Sequence, residues 1–238
     1  MDKLIKKIRR NILQASFEVR ACHLGGALSA VEILVALYFK ILKENDIFLF
    51  SKASGASALY AVLAEKGYFP KEKLAQYLHN YPLASKEVPG VIHSVGSLGM
   101  GFGVAAGMAL ADRNRKVYCL ISDGELDEGS TWEAVKFAGQ KNLDNLMVVL
   151  DYNGITACQW TNLEPLKDKF LAFNWMAHIV DGHDIDKIET VLRQTEKPLI
   201  IIAHTVKGWG VSFMRNQISW HYKNLTENLL KQALKENE

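Results

Sequence analysis

In this 238-residue sequence, one apolar, β-branched stretch ends in Ser122-Asp123-Gly124-Glu125 and the next ends in Asp151-Tyr152-Asn153-Gly154-Ile155. A single segment of helical periodicity lies between them. Such a strand–helix–strand unit crosses over right-handed, so Asp123 and Asn153 are expected at the same edge of a sheet. A carboxylate, a side-chain amide oxygen and a loop carbonyl such as that of Ile155 form an all-oxygen donor set. That set suits Mg²⁺, a hard octahedral ion that completes its shell with phosphate oxygens and water instead of an all-protein cage. Gly124 lacks a Cβ and lets backbone N–H groups approach a phosphate closely. Taken alone, the same Asp, Gly and Asn also serve as turn residues after strands.

The elements that must position these residues can be read from periodicity. The basic N-terminal stretch to Arg20 has apolar residues at helical spacing and reads as an amphipathic helix, not a signal peptide. Leu28 to Tyr38 reads as a buried helix, and Ala58–Glu65 and Lys71–Leu78 as two shorter ones separated by Gly67 and Pro70. From residue 115 onward strands and helices alternate. Lys116–Ile121, Leu146–Leu150, Ala177–Val180 and Leu199–Ala203 read as buried parallel strands, with helices over Glu128–Gln140, about Asp184–Gln194 and from Leu225. The expected fold is α/β, a doubly wound and mostly parallel sheet with helices on both faces, in one domain over residues 1–238. Such a sheet binds ligands at the carboxyl ends of its strands.

Composition narrows the function classes. A formal net charge of +2 gives no field to recruit nucleic acid or a membrane surface. The weakly polar stretch Ser97–Ala111 is well short of the ~20 residues a bilayer crossing needs. Cys22, Cys119 and Cys158 have no metal-site spacing and, being odd in number, no complete disulfide framework, so a cytoplasmic location is expected.

Six ordered segments carry a resemblance that covers nearly the whole chain. SDGELDEGSTWEA (122–134) with NLMVVLDYNGI (145–155) resembles the thiamine diphosphate motif of transketolases. CHLGGALSAVEILVALYF (22–39), GSLGMGFGVAAGMALA (96–111), VDGHD (180–184), KPLIIIAHTVKGWGVSFM (197–214) and SWHYK (219–223) follow that family in the same order. The resemblance implies thiamine diphosphate held through Mg²⁺, with Ca²⁺ or Mn²⁺ able to replace it. By position, Asp123, Asn153 and the Ile155 carbonyl match the metal ligands. Gly124 and Glu125 lie in the diphosphate motif, and the backbone of Gly96-Ser97-Leu98 matches the turn against the aminopyrimidine ring. His23 matches a histidine facing the reacting carbon. His221 matches one near the diphosphate and the substrate oxygens. Glu128 and Glu133 match interface glutamates that link the two active sites. An unperturbed pKa of about 6.5 suits both histidines to proton transfer. Without the motifs, His23 reads equally as a polar helix-start residue and His221 as a local cap. His178, His183 and His204 are assigned to structure and His79 to a solvated helix end.

The departures are as informative. The family's Ser-Lys-Gly-His stands here as Ser51-Lys52-Ala53-Ser54, so one histidine is a serine. The Gly-His-Pro expected before Pro89 is absent from residues 80–88. Ser122 replaces a glycine, Met100 replaces a glutamine or histidine, and the loop Lys43–Phe50 is short. His93 is a candidate to replace the missing imidazole. The family's pyrimidine-binding glutamate lies in a later domain, so the resemblance implies a partner subunit carrying the transketolase C-terminal half, an α₂β₂ assembly and sugar phosphate substrates. Three alternatives compete: a transketolase for a specialised sugar, a subunit of a 2-oxo acid dehydrogenase or deoxyxylulose-phosphate synthase, and a non-catalytic scaffold.

Overall fold

The computed structural model describes residues 1–194 and 196–238. Its centre is a sheet of five parallel strands in the order β1-β2-β3-β5-β4: β1 (Ile47–Phe50), β2 (Val117–Ser122), β3 (Leu146–Tyr152), β4 (Met176–Asp181) and β5 (Leu199–His204). β2 and β3 are buried along their whole length, and β5 except at His204, which is why they read as continuous apolar runs with no polar face.

Successive strand residues enter opposite cores. Phe50, Leu120, Val149 and Ile201 point into the larger core, shared with α1 (Asp2–Glu18), α2 (Leu24–Ser29), α3 (Val31–Ala36), α4 (Ala56–Lys66), α5 (Leu74–Asn80), α9 (Ile185–Leu192) and α10 (Glu227–Glu236). Leu49, Cys119, Val148 and Ile200 point into the other, against α6 (Met100–Ala111), α7 (Gly129–Gln140) and α8 (Leu166–Ala172). Helices therefore cover both faces, as expected. The register aligns the strand ends: Ser122 lies beside Asp151, and Tyr152 beside His204.

The four expected strands appear with shifts of one or two residues. The expectation of a loop over Lys43–Phe50 is corrected, since Ile47–Phe50 pairs with β2 as an edge strand. Four consecutive apolar residues have no period of their own, and only the distant β2 settles their conformation. The single helix expected over Leu28–Tyr38 is two short helices followed by a π-turn at Leu37–Ile41. At the break, Ser29 Oγ donates to Gly26 O (3.0 Å) and to Asp151 Oδ2 (2.7 Å), competing with the helical ladder. α8 went unread because seven residues are too few to display a period.

Of the clustered glycines in α6, Gly101 packs on Ser51, where a Cβ would lie 2.4 Å from Oγ, while Gly103 and Gly107 face open space. The tightest approach is elsewhere, at Gly139 of α7, where a Cβ would sit 1.8 Å from the Phe173 carbonyl oxygen. Backbone must move to relieve that overlap. Gly139→Ala is expected to cost about 1–3 kcal/mol, read as a fall of roughly 2–4 °C in Tm per kcal/mol for a chain of this size.

Candidate functional site

A cavity of about 540 Å³ opens beyond the carboxyl ends of β1, β2, β3 and β5. Its floor is the turn that follows β2. Ser122 N–H and Oγ donate to Glu125 Oε2 (2.8 and 3.1 Å), Ser51 Oγ donates to the other carboxylate oxygen, and Thr131 Oγ1 donates to the Glu125 carbonyl (2.6 Å). This reciprocal cap ties the turn to β1 and α7 and sets the direction of Asp123. Asp123 Oδ1 accepts from Gly124 N–H (3.0 Å) and Oδ2 accepts from Asn153 N–H (3.2 Å); Asn153 Oδ1 accepts from Ile155 N–H (3.2 Å). The two residues expected at one sheet edge are in contact there, and both line the cavity.

Two lysines that the sequence reading did not single out complete this end. Lys52, buried at the end of β1, bonds Asp151 Oδ2 at 2.8 Å, and Asp151 also accepts from Ser29 and Thr205. Lys207 Nζ donates to the carbonyls of Ile155 (3.3 Å) and Thr156 (3.0 Å). Lys207 follows β5 by three residues, so the rule of reading past each strand end would have found it. Lys52 follows the one strand that was missed.

Burial is the largest single influence on each group here, and at two of them the neighbouring charges together outweigh it. It pushes the Asp123 carboxyl up to about 6, against the pull of Lys52. Burial opposes the Lys52 charge as well, but Asp151, Asp123 and Glu125 outweigh it and hold the amine above its ordinary value. The Asp151 carboxyl resists burial in the same way: Lys52, Thr205 and Ser29 keep it below the usual range. Burial, with the Lys52 charge, lowers Lys207 to about 8.

The two histidines meet on the opposite wall. His23 begins α2 in the left-handed conformation (φ 66°), its N–H donating to His221 O at 2.8 Å. The rings stand edge-on with centroids 4.7 Å apart, and Tyr222 closes over both. Burial and then the charge of Lys207 lower His221 to about 3; the same causes lower His23. Both imidazoles are therefore neutral near pH 7, each with one N–H to donate and one nitrogen to accept a hydrogen bond.

Gly96, Leu98, Gly124, Ile155 and Glu128 also line the cavity. Ser97 is exposed and Glu125 lies buried behind the floor, neither on the wall. Glu133 is exposed on α7, in a groove with Met100, Gly103 and Phe137. Ser54, in place of the family histidine, lines the cavity, as does Leu83 from the segment without Gly-His-Pro. His93 is half-buried in the neighbouring segment and is not part of the wall. The ring of His183 packs between Glu32 and Trp209, while His204 and His79 are exposed.

A divalent ion and a diphosphate fit this end. The donors on Asp123, Asn153 and Ile155 are all oxygen, the Asp123 carboxylate is buried and would be relieved by a cation, and Gly124 leaves room, since even a Cβ there would stand 3.9 Å from Leu98 and Thr156. No group of three or more His, Cys, Asp or Glu side chains poised for a metal occurs among the described residues. No helix among them is long and apolar enough to cross a membrane.

The sequence model of the family described as "Transketolase, thiamine diphosphate binding domain" matches residues 1–237. A 6-deoxy-6-sulfo-D-fructose transketolase subunit of Clostridium sp. (strain MSTE9) is 40% identical over 97% of this chain and 94% of its own length. An apulose-4-phosphate transketolase subunit from Actinobacillus succinogenes is 38% identical over 94% of this chain and 90% of its own. In structure, the transketolase of Campylobacter jejuni superposes with a TM-score of 0.86 at 27% identity, covering 99% of this chain but 42% of the enzyme's. The match runs the length of the chain and includes the turns that form the cavity floor. The chain belongs to the transketolase family, as its thiamine diphosphate-binding domain.

Proposed function

We propose that residues 1–238 act as the diphosphate-side subunit of a two-subunit transketolase, which moves a two-carbon ketol unit between sugar phosphates. The observation that carries this reading is the contact between Asp123 and Asn153 at the foot of a cavity whose far wall holds His23 and His221. When bound, thiamine diphosphate supplies the electron sink for making and breaking a carbon–carbon bond beside a carbonyl. Asp123, Asn153 and the Ile155 carbonyl hold Mg²⁺, Gly124 presents backbone to the diphosphate, and Gly96-Ser97-Leu98 borders the aminopyrimidine. Glu125 acts from behind, by fixing the turn. His23 and His221, neutral at working pH, hydrogen-bond and orient the substrate oxygens.

The partner in this reading is a transketolase C-terminal-half subunit that closes the cavity mouth and supplies the activating glutamate. Leu98 and Tyr222, exposed on the cavity lining, support such a contact. A second pair of copies, giving α₂β₂, would meet where Glu128 and Glu133 flank the open face of α6. Two relatives are named as subunits of transketolases for modified sugars, and Ser54 and Leu83 alter the wall where the family has imidazoles. That pair of facts supports a modified sugar as the ketol donor. Three free cysteines support a cytoplasmic location.

Calorimetry with thiamine diphosphate and Mg²⁺ tests the site in the presence of the partner. Asp123→Asn is expected to weaken cofactor binding about tenfold to a hundredfold, the worth of a charge-assisted contact; unchanged affinity would discard the site. Ketol transfer is expected only when both polypeptides are mixed. Robust turnover by the isolated chain would refute the split enzyme and leave the metal site standing.

The metal-free chain also responds to pH through Asp123. Below about pH 4 folded and unfolded chains both hold this proton; between 4 and 6 only the folded chain does; above 6 neither does. Stability from this residue therefore falls as pH rises across that interval, by an amount on the order of 2–3 kcal/mol. Asp123→Asn is expected to raise the Tm of the metal-free chain at pH 7 and to leave it unchanged at pH 4.

A further inference from the structure

The segment that brings Lys207 into the cavity is pinned from outside the cavity. Val206 N–H donates to His183 Nε2 (3.0 Å), which makes Nε2 the unprotonated nitrogen and turns Nδ1–H toward Glu32 Oε2 (3.2 Å). The other oxygen of Glu32 is bonded by Arg9, and all three side chains are buried or nearly so. On its flat side the His183 ring stacks on Trp209 at 4.3 Å and 18°, and Arg215 lies over the Trp209 ring at 4.5 Å. His183 thus grips residues on both sides of Lys207. At the inner end, Gly208 N–H donates to Gly25 O (2.8 Å), two residues from His23.

We propose that His183 is a positioning residue for Lys207: by accepting the Val206 amide and stacking on Trp209, it fixes residues 205–209 and holds the Lys207 ammonium at the diphosphate end of the cavity. This rests on the cofactor reading above. The imidazole is suited to the task because one ring offers an acceptor to the backbone, a donor to Glu32 and a flat face to Trp209 at once. Glu32, held by Arg9, fixes which nitrogen carries the hydrogen. Lys207 has a long flexible side chain, and an ammonium is a useful anion contact only where its stem is held. His183 itself lines an outer cavity and not the one that holds Lys207, so it acts through that segment.

The test uses three variants of the chain, each combined with its partner subunit. His183→Phe keeps the stacked ring and loses both nitrogens; His183→Gln restores an acceptor and a donor; Lys207→Met removes the charge. Hydrogen exchange of the Val206 amide is expected to quicken about tenfold or more in His183→Phe, with α10 unchanged. Affinity for thiamine diphosphate at saturating Mg²⁺ is expected to fall about tenfold, with His183→Gln recovering most of it. In a Lys207→Met background, His183→Phe is expected to cause no further fall, because the two act as one unit. Unchanged exchange, unchanged affinity in His183→Phe or in Lys207→Met, or an equal fall in both backgrounds overturns the proposal. Should His183→Phe not fold, His183→Asn, too short to reach both Glu32 and Val206, carries the same expectations. Asp123→Asn judges the cofactor reading separately: weakened binding there with none in His183→Phe overturns the positioning role alone.

Discussion

The ion pair between Lys52 and Asp151 joins four parts of the chain at one buried point. Asp151 closes β3, Lys52 extends from β1, Ser29 comes from the break between α2 and α3, and Thr205 follows β5. Removing one partner of such a pair leaves a charge buried without compensation, at about 3–5 kcal/mol. Because both residues are wholly enclosed, the pair contributes less to net stability than to holding the strand ends in one arrangement. Every group of the cavity floor is within a residue or two of that arrangement: Asn153 follows Asp151, Asp123 sits beside it, and Lys207 follows Thr205.

The floor gathers three carboxylates, Asp123, Glu125 and Asp151, and two ammonium groups in little water, which leaves it formally short of one positive charge. Glu125 is satisfied by hydroxyls and an amide, Asp151 by Lys52. Neither Asp123 nor Glu125 has a cation of its own, and burial raises both carboxyls above their usual range. The neutral histidines on the far wall are the other half of this arrangement, since the lysines that answer the carboxylates also discourage a second proton on the rings. Burial and one charge distribution across a single cavity thus set the protonation of both walls.

Much of this was legible in the sequence. The strands at 117, 146, 176 and 199 announce themselves because full burial demands apolar side chains on both faces, and the crossover rule then places Asp123 near Asn153 without any knowledge of distance. What escaped depended on partners far along the chain. Ile47–Phe50 is a strand only because β2 accepts it, and Lys52 could not be noticed until that strand existed. The break at Ser29 arises from Asp151, 122 residues away. The capping role of Glu125 was hidden for a similar reason: in sequence it is one more acid of a metal motif, and its inward turn depends on Ser51 and Thr131.

Helix α6 is apolar around its whole circumference, yet only one side meets the core; Met100 and Leu110 are exposed and Gly103 and Gly107 abut nothing. A surface of that kind is a hazard for a polypeptide that has been translated but not yet assembled, because it adheres to whatever apolar material is nearest. In the two-subunit reading proposed above assembly covers that face, and copies left unassembled are the ones that quality-control proteases would clear first.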